Sequence, residues 1–424
     1  MKFVYALIVA TVVFAPGSAD AADWPAFRGP QGTGLSVDPS APTHWGPDHN
    51  IAWKAPLPRP ANGSPIVSHG KVFVTSAEDE AGRQRSLYCF GRYSGNKLWV
   101  KTVHFGKRMP THKTNPYCGS TPVSDGQRVV VWHGSAGLYC YDMNGKELWS
   151  QDLGEFRHMW GYGTSPIIHQ GTVILHTGPG KREFISAFDL ETGQQIWETE
   201  ESAEGGNGEK RADGKYRGSW STPVLAHVSG RDQLILMMSS RVNGYDPNSG
   251  ELIWTVDGLR HDQGDLAYSS PVIAGDICFV TGGFQGPAMA FRIGGDGNVT
   301  KTNRLWRNEK NPQNIGSGVY VDGYVYRPNA GPGTIDCIDP RTGEILWEDR
   351  GAGGDYWGSI VGAGGLLYAT NQKGTTLVFK PNPRAYEQVA ENKLGESTNA
   401  TPAISDGQIF VRTAGHLFCI QDKS

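Results

Sequence analysis

The chain has 424 residues and a formal net charge of -3, which gives no overall field for holding nucleic acid or an anionic membrane surface. Glycine (57) and tryptophan (13) are plentiful while charged residues make up only 19%. Short apolar runs alternate with Gly, Asp and Asn turns, so the composition is that of an all-β protein.

In chain order, the first element is a leader. Lys2 precedes an apolar run from Phe3 to Phe14, followed by the A-x-A pattern of Ala19, Asp20 and Ala21. This reads as a secretory signal over 1–21, cleaved near Ala21, with a mature chain at 22–424 that is periplasmic or secreted. The competing reading, an N-terminal membrane anchor, needs ~20 apolar residues and finds roughly twelve. The first cysteine is Cys89, so a lipid-bearing cysteine at the mature N-terminus is excluded and no transmembrane segment is expected.

Beyond the leader three columns recur in fixed order. The first is Ser or Thr followed by Pro, at Pro65, Pro122, Pro166, Pro223, Pro271 and Pro402, with Gly318 and Ile360 in two degenerate copies. The second is a small residue inside a strand pattern: Cys89, Cys140, Ala187, Gly244, Ala290, Cys337, Val378 and Cys419. The third is a Trp closing an apolar run, at Trp99, Trp149, Trp197, Trp254, Trp306 and Trp347, with Gln388 in its place in the seventh copy. Each unit reads as four strands, for example SPIVSH, KVFVTS, SLYCFG and NKLWVK. Four strands per unit is a propeller blade.

The last unit ends without its Trp strand, whereas NIAWKAPL near the N-terminus carries Trp53 with no columns before it. One strand is spare and one is missing, so a ring closed by the N-terminal strand leaves no exposed edge. The expected fold is therefore an all-β, eight-bladed propeller of four-stranded antiparallel blades, forming one domain over 22–424. The turns before the Trp, such as Asp189 to Gly193, close as tight hairpins because Asp bonds the backbone two residues on and Gly accepts a positive φ. A buried Trp removes roughly 150–250 Å² from water, so these Trp are expected in the core.

The pattern Ala187-x-Asp189-x-x-Thr192-Gly193-x-x-x-Trp197, repeated at Gly244 to Trp254 and Cys337 to Trp347, resembles the tryptophan-docking motif of quinoprotein dehydrogenases. It is similar also to the repeat of the propeller lipoprotein of the outer-membrane β-barrel assembly machinery, and the likeness covers nearly the whole mature chain. The first likeness implies a pyrroloquinoline quinone (PQQ) and calcium-dependent dehydrogenase of alcohols or sugars. The second implies a non-catalytic scaffold that binds an envelope protein. Dehydrogenases of this repeat type carry an adjacent Cys-Cys pair beside the quinone, and this chain has none; a haem-attaching C-x-x-C-H is absent as well.

Four of the six cysteines share the small column, whose positions in successive blades do not meet, so six free thiols are expected. Two constellations offer oxygen ligands or a general base: His261-Asp262-x-x-Asp265 and Asp355-Tyr356-Trp357. No nucleophile elbow or zinc motif occurs.

Turns between the first two strands of a unit are short, such as Asp125-Gly126, so the face that carries them is expected to lack material for a pocket. Connectors from the Trp strand into the next inner strand are long, and binding is expected on their face. Ahead of the inner strands they present Asn62, Tyr117, Trp160, Tyr162, Arg217, Trp220, Tyr268, Asn314, Tyr356, Trp357 and Asn399. A ring of aromatics and amides around a channel mouth suits a planar or sugar-like ligand. The basic residues of these connectors, Arg217 among them, suggest a rim for an acidic partner. The favoured expectation is an exported, monomeric, non-catalytic binding propeller with an envelope protein or small polar ligand as partner and no cofactor. The alternatives are the PQQ- and calcium-dependent dehydrogenase and a carbohydrate-binding propeller.

Overall fold

The computed structural model describes residues 23–203 and 205–422; the leader expected over 1–21 lies outside them. The repeat units become eight four-stranded antiparallel blades. In blade 1 the strands are Ile66–Ser68, Lys71–Ala77, Gln84–Gly91 and Lys97–His104, from the axis outward. Blades 2 to 7 occupy 123–151, 167–200, 224–257, 272–308, 319–349 and 361–393. Blade 8 takes its inner three strands from 403–420 and its outer strand from Ile51–Pro56, with Trp53 opposite Cys419. The ring therefore closes through the N-terminal strand, as its spare Trp predicts.

The second and third columns are cross-strand partners. Cys89 faces Trp99, Cys140 faces Trp149, Ala187 faces Trp197, Ala290 faces Trp306 and Cys337 faces Trp347. A β-bulge follows the small residue each time, and such a bulge re-aims the side chain opposite. The indole then crosses to the next blade. Trp149 Nε1 donates to the Leu190 carbonyl at 3.0 Å, and its ring lies so close to Gly193 (φ +73) that a Cβ there would sit 2.5 Å from it. The same docking joins Trp99 to Met143, Trp197 to Pro247, Trp306 to Pro340, Trp347 to Asn382 and Trp53 to Arg92. All six cysteines are buried free thiols.

Two blades depart from the pattern. Trp254 turns inward, fully buried, over Gly244, and donates to Gln233 of its own blade at 2.7 Å. Its usual dock is displaced because blade 5 inserts Gly297–Asn298 and the helical turn Thr300–Asn303 between its last two strands, and that insertion pairs with blade 4. In blade 7 the residue opposite Val378 is Ala390, not Gln388, which instead faces Phe379. The turn before this strand is two residues longer than a fixed spacing allows for. The space an indole would fill joins a core cluster that includes Trp45, from the segment ahead of the closing strand.

The first column closes the ring from inside. The backbone N–H of Ser64 donates to Thr121 Oγ1, Thr121 to Ser165, Ser165 to Thr222 and Thr222 to Ser270, each within 2.9–3.2 Å. Ser270 continues to Ser317, Ser317 to Ser359, Ser359 to Thr401, and Thr401 returns to the Ser64 hydroxyl, within 2.9–3.0 Å. Each blade hands one buried amide to the hydroxyl of the next. The hydroxyl is thus the essential half of the Ser/Thr-Pro column, which explains why the two copies lacking Pro keep Ser317 and Ser359.

Candidate functional site

The channel inside this collar opens on the long-connector face into a cavity of about 360 Å³. Its geometry is set by connectors that lean on one another. Arg217–Ser219 and Asp265–Ala267 form a short parallel pair, and the Trp220 amide donates to the Ala267 carbonyl at 2.7 Å. That pairing sets Trp220 and Tyr268 side by side, ring centroids 5.4 Å apart. Trp160 adds to the arc, 6.1 Å from Trp220 and 5.6 Å from Phe284. Trp220 is held further by its indole N–H on the Gly161 carbonyl at 3.0 Å and by His158 edge-on at 5.0 Å. Burial holds the His158 imidazole down at about 4, so it packs as a neutral ring.

The opposite arc is polar. The loop around Thr114 folds across the mouth, its carbonyl accepting both Asn62 Nδ2 and Asn399 Nδ2 at 2.9 Å. Asn115 Nδ2 in turn donates to the Trp160 and Tyr162 carbonyls at 2.7 and 3.1 Å, tying the two arcs together. Asn399 Oδ1 accepts Gln372 at 2.8 Å, and His112 Nδ1 meets Thr114 Oγ1 at 2.8 Å. Below both arcs the wall is the hydroxyl collar, and Phe27 also lines the cavity.

Of the residues singled out from sequence, Trp160, Trp220, Tyr268, Trp357 and Asn399 line this cavity, as does Asn62. The others do not. Tyr117 is buried, its hydroxyl on the Met109 carbonyl at 2.5 Å and its ring against Gly82. Tyr162 packs under Trp132. Tyr356 is fully buried in the core cluster shared by blades 6 and 7. Asn314 is buried and spends its amide on the Gly316 and Pro328 carbonyls. Arg217 turns back onto the carbonyls of Ala203 and Asn207, within its own connector. The basic rim is largely consumed in this way: Lys107 pairs with Glu155, and Arg211 with Asp213 and Asp265. Sequence reasoning missed His112, Asn115, Phe284 and Gln313, which sit within loops rather than in the position just ahead of an inner strand. It missed the collar too, although its hydroxyls stood beside the Pro column.

Neither candidate constellation forms a cation site. Asp265 is committed to Arg211 and to the His261 amide. Among the described residues no group of three or more His, Cys, Asp or Glu could hold a metal ion. The cavity wall has neither carboxylate nor thiol, so its oxygen donors are neutral amides and hydroxyls, with no charge to set against a hard divalent cation. The donor set thus does not fit calcium-assisted quinone chemistry.

The other end of the channel is crossed by a strap, residues 23–38. Trp24 bridges to Val67 of blade 1, the Pro25 carbonyl accepts Ser124 of blade 2, and Arg28 reaches the Gly318 carbonyl of blade 6. Ser36 then donates to Gly362 of blade 7, and Asp38 accepts the Asp406 amide of blade 8 at 2.7 Å. The short-turn face, expected to lack a pocket, holds a chamber of about 680 Å³ between this strap and blades 2 to 6. The expectation failed because it considered the turns alone and not a segment from outside the repeats.

A sequence profile described as outer membrane protein assembly factor BamB matches residues 83–349 and 331–424. The chain belongs to this family. Among curated proteins none matches the sequence. Among solved structures, quinohemoprotein alcohol dehydrogenase from Comamonas testosteroni is similar at TM-score 0.68 and 14% identity, over 95% of this chain and 81% of that one. BamB from Moraxella catarrhalis is similar at TM-score 0.59 and 14% identity, over 88% and 97%. A europium-containing methanol dehydrogenase gives 0.53 and 13%, over 93% and 90%. At these identities the likenesses establish a shared propeller fold. No helix among the described residues is long and apolar enough to cross a membrane.

Proposed function

We propose that this BamB-family propeller is an exported, non-catalytic binding protein that takes a small polar ligand or a segment of an envelope protein into the mouth of its channel. The observation that carries the reading is the division of that mouth. Trp160, Trp220, Tyr268 and Phe284 supply one arc for stacking, and Asn62, His112, Asn115 and Asn399 make the facing arc polar. Cavities of this size, apolar on one side with a few convergent polar groups, are the usual form of ligand sites. The cavity wall carries no carboxylate and no thiol, so the polar groups it presents are amides, hydroxyls and the imidazole of His112. The family description, an outer membrane assembly factor, supports an envelope setting.

The test is a fluorescence titration of the mature protein against oligosaccharides and against peptides from outer-membrane barrel proteins. One class should quench the mouth tryptophans saturably, and Trp160→Ala with Trp357→Ala should abolish the response. If no ligand of either class binds, or the double variant binds unchanged, the reading fails. Dye-linked oxidation of alcohols or aldoses on addition of PQQ and calcium would replace it with the dehydrogenase reading.

A further inference from the structure

The chamber on the strap face holds a charged group with nothing to balance it. Arg28 is 2% exposed and lines the chamber wall. Its Nη2 donates to the Gly318 and Thr33 carbonyls, yet Nε and Nη1 are buried with no acceptor. Three N–H groups of a cation are thus left unpaired, and no carboxylate among the described residues forms an ion pair with it. Burial alone pulls its guanidinium down, to about 9. Removing a charge from water without a partner is costly, whereas hydrogen bonds from guanidinium to an oxyanion are among the strong ones.

The rest of the wall indicates what such an anion would be attached to. Ile167, Ile168, Val224, Leu225, Val272 and Ile273 present an apolar surface from blades 3, 4 and 5. The one acid there, Asp232, is already engaged by His227 at 2.7 Å and His169 at 3.5 Å. We infer that the chamber between the strap and blades 2 to 6 is a second ligand site, taking a small organic anion whose oxyanion head meets Arg28 and whose apolar body lies on these strands. Phe27 of the strap and the collar residues Thr222 and Ser270 line both cavities, and they mark the border between this site and the channel mouth.

The probes are inorganic phosphate, hexanoate and hexanol, which carry the head alone, head with body, and body alone. Hexanoate should raise the melting temperature and bind by calorimetry at least tenfold more tightly than either of the others. Arg28→Gln should lose that preference, while Trp160→Ala with Trp357→Ala should keep it. Should Arg28→Gln fail to fold, crystals of the unaltered protein soaked in 6-bromohexanoate decide the matter. The expected result is a bromine signal near Leu225 and Ile273, with the carboxylate within hydrogen-bond distance of Arg28 Nη1. Equal binding of hexanoate and hexanol, an unchanged preference in the variant, or bromine only outside the chamber would overturn the inference.

Discussion

The two ends of the channel are built from opposite kinds of sequence. At the mouth every wall residue but Phe27 comes from a connector or inner strand of the repeats, so the cavity is a modified form of something the blades already supply. At the other end a single non-repeating segment, 23–38, crosses five blades and makes a chamber where the turns leave none. Repeats fix the scaffold and one-off segments specialise it. The strap is held by buried side chains of its own, such as Trp24 and Arg28.

The largest effect separates scaffold from strap. Deleting 23–57 removes the strap and the closing strand together, exposing the edge of blade 8, and should give aggregation or loss of cooperative unfolding. Deleting only 23–40 leaves Ile51–Pro56 in place, so the ring should still melt cooperatively, at a lower temperature. Light scattering with calorimetry checks both, and equal collapse would show that the strap is part of the scaffold.

Next comes Trp254→Ala, which empties a fully enclosed site in blade 4 and should cost about 3–5 kcal/mol by denaturant titration. Two smaller losses test the columns. Thr121→Val leaves the buried Ser64 amide without its acceptor, at about 1–3 kcal/mol. Cys140→Phe overpacks the join of blades 2 and 3, at about 1–3 kcal/mol; a neutral result would place that column outside the core.

The last predicted effect, one that develops gradually with pH, is a stability change in the connectors near the mouth. Glu183 is buried, and desolvation foremost raises its carboxyl to about 8, with the Ser219 amide opposing and the charge of Glu201 adding. The native state therefore keeps a proton that the unfolded chain releases, and stability falls as pH rises from about 4.5 to about 8. Glu183→Gln should remove that fall, so its advantage over the parent grows across this window and is flat below it. An advantage that shrinks as pH rises would show that the carboxylate is stabilised by its surroundings.

What the sequence discloses follows the same division. The ring, its eight blades and its closure through Trp53 were legible because three columns recur in fixed order along the chain. Gln388 misled because the turn before its strand is longer than its counterparts, and Trp254 gave no sign that it turns inward, since the cause lies in the insertion of blade 5. At the mouth, Trp160, Trp220, Tyr268, Trp357 and Asn399 were found by position alone. The same rule also picked Tyr117, Tyr162, Asn314 and Tyr356, which are buried, because it does not distinguish a ring facing the channel from one beneath the connector. The unpaired donors of Arg28 depend on contacts between residues 290 positions apart, which no local pattern reports.

The central claim is that the mouth aromatics bind and do not hold the fold. The measurement that tests it most directly is the thermal unfolding of Trp160→Ala with Trp357→Ala beside that of Trp254→Ala. The account predicts that the mouth pair melts within a few degrees of the parent while losing ligand-induced quenching, and that Trp254→Ala melts far lower. A mouth pair as destabilised as Trp254→Ala would contradict it, making those rings a plug in the channel.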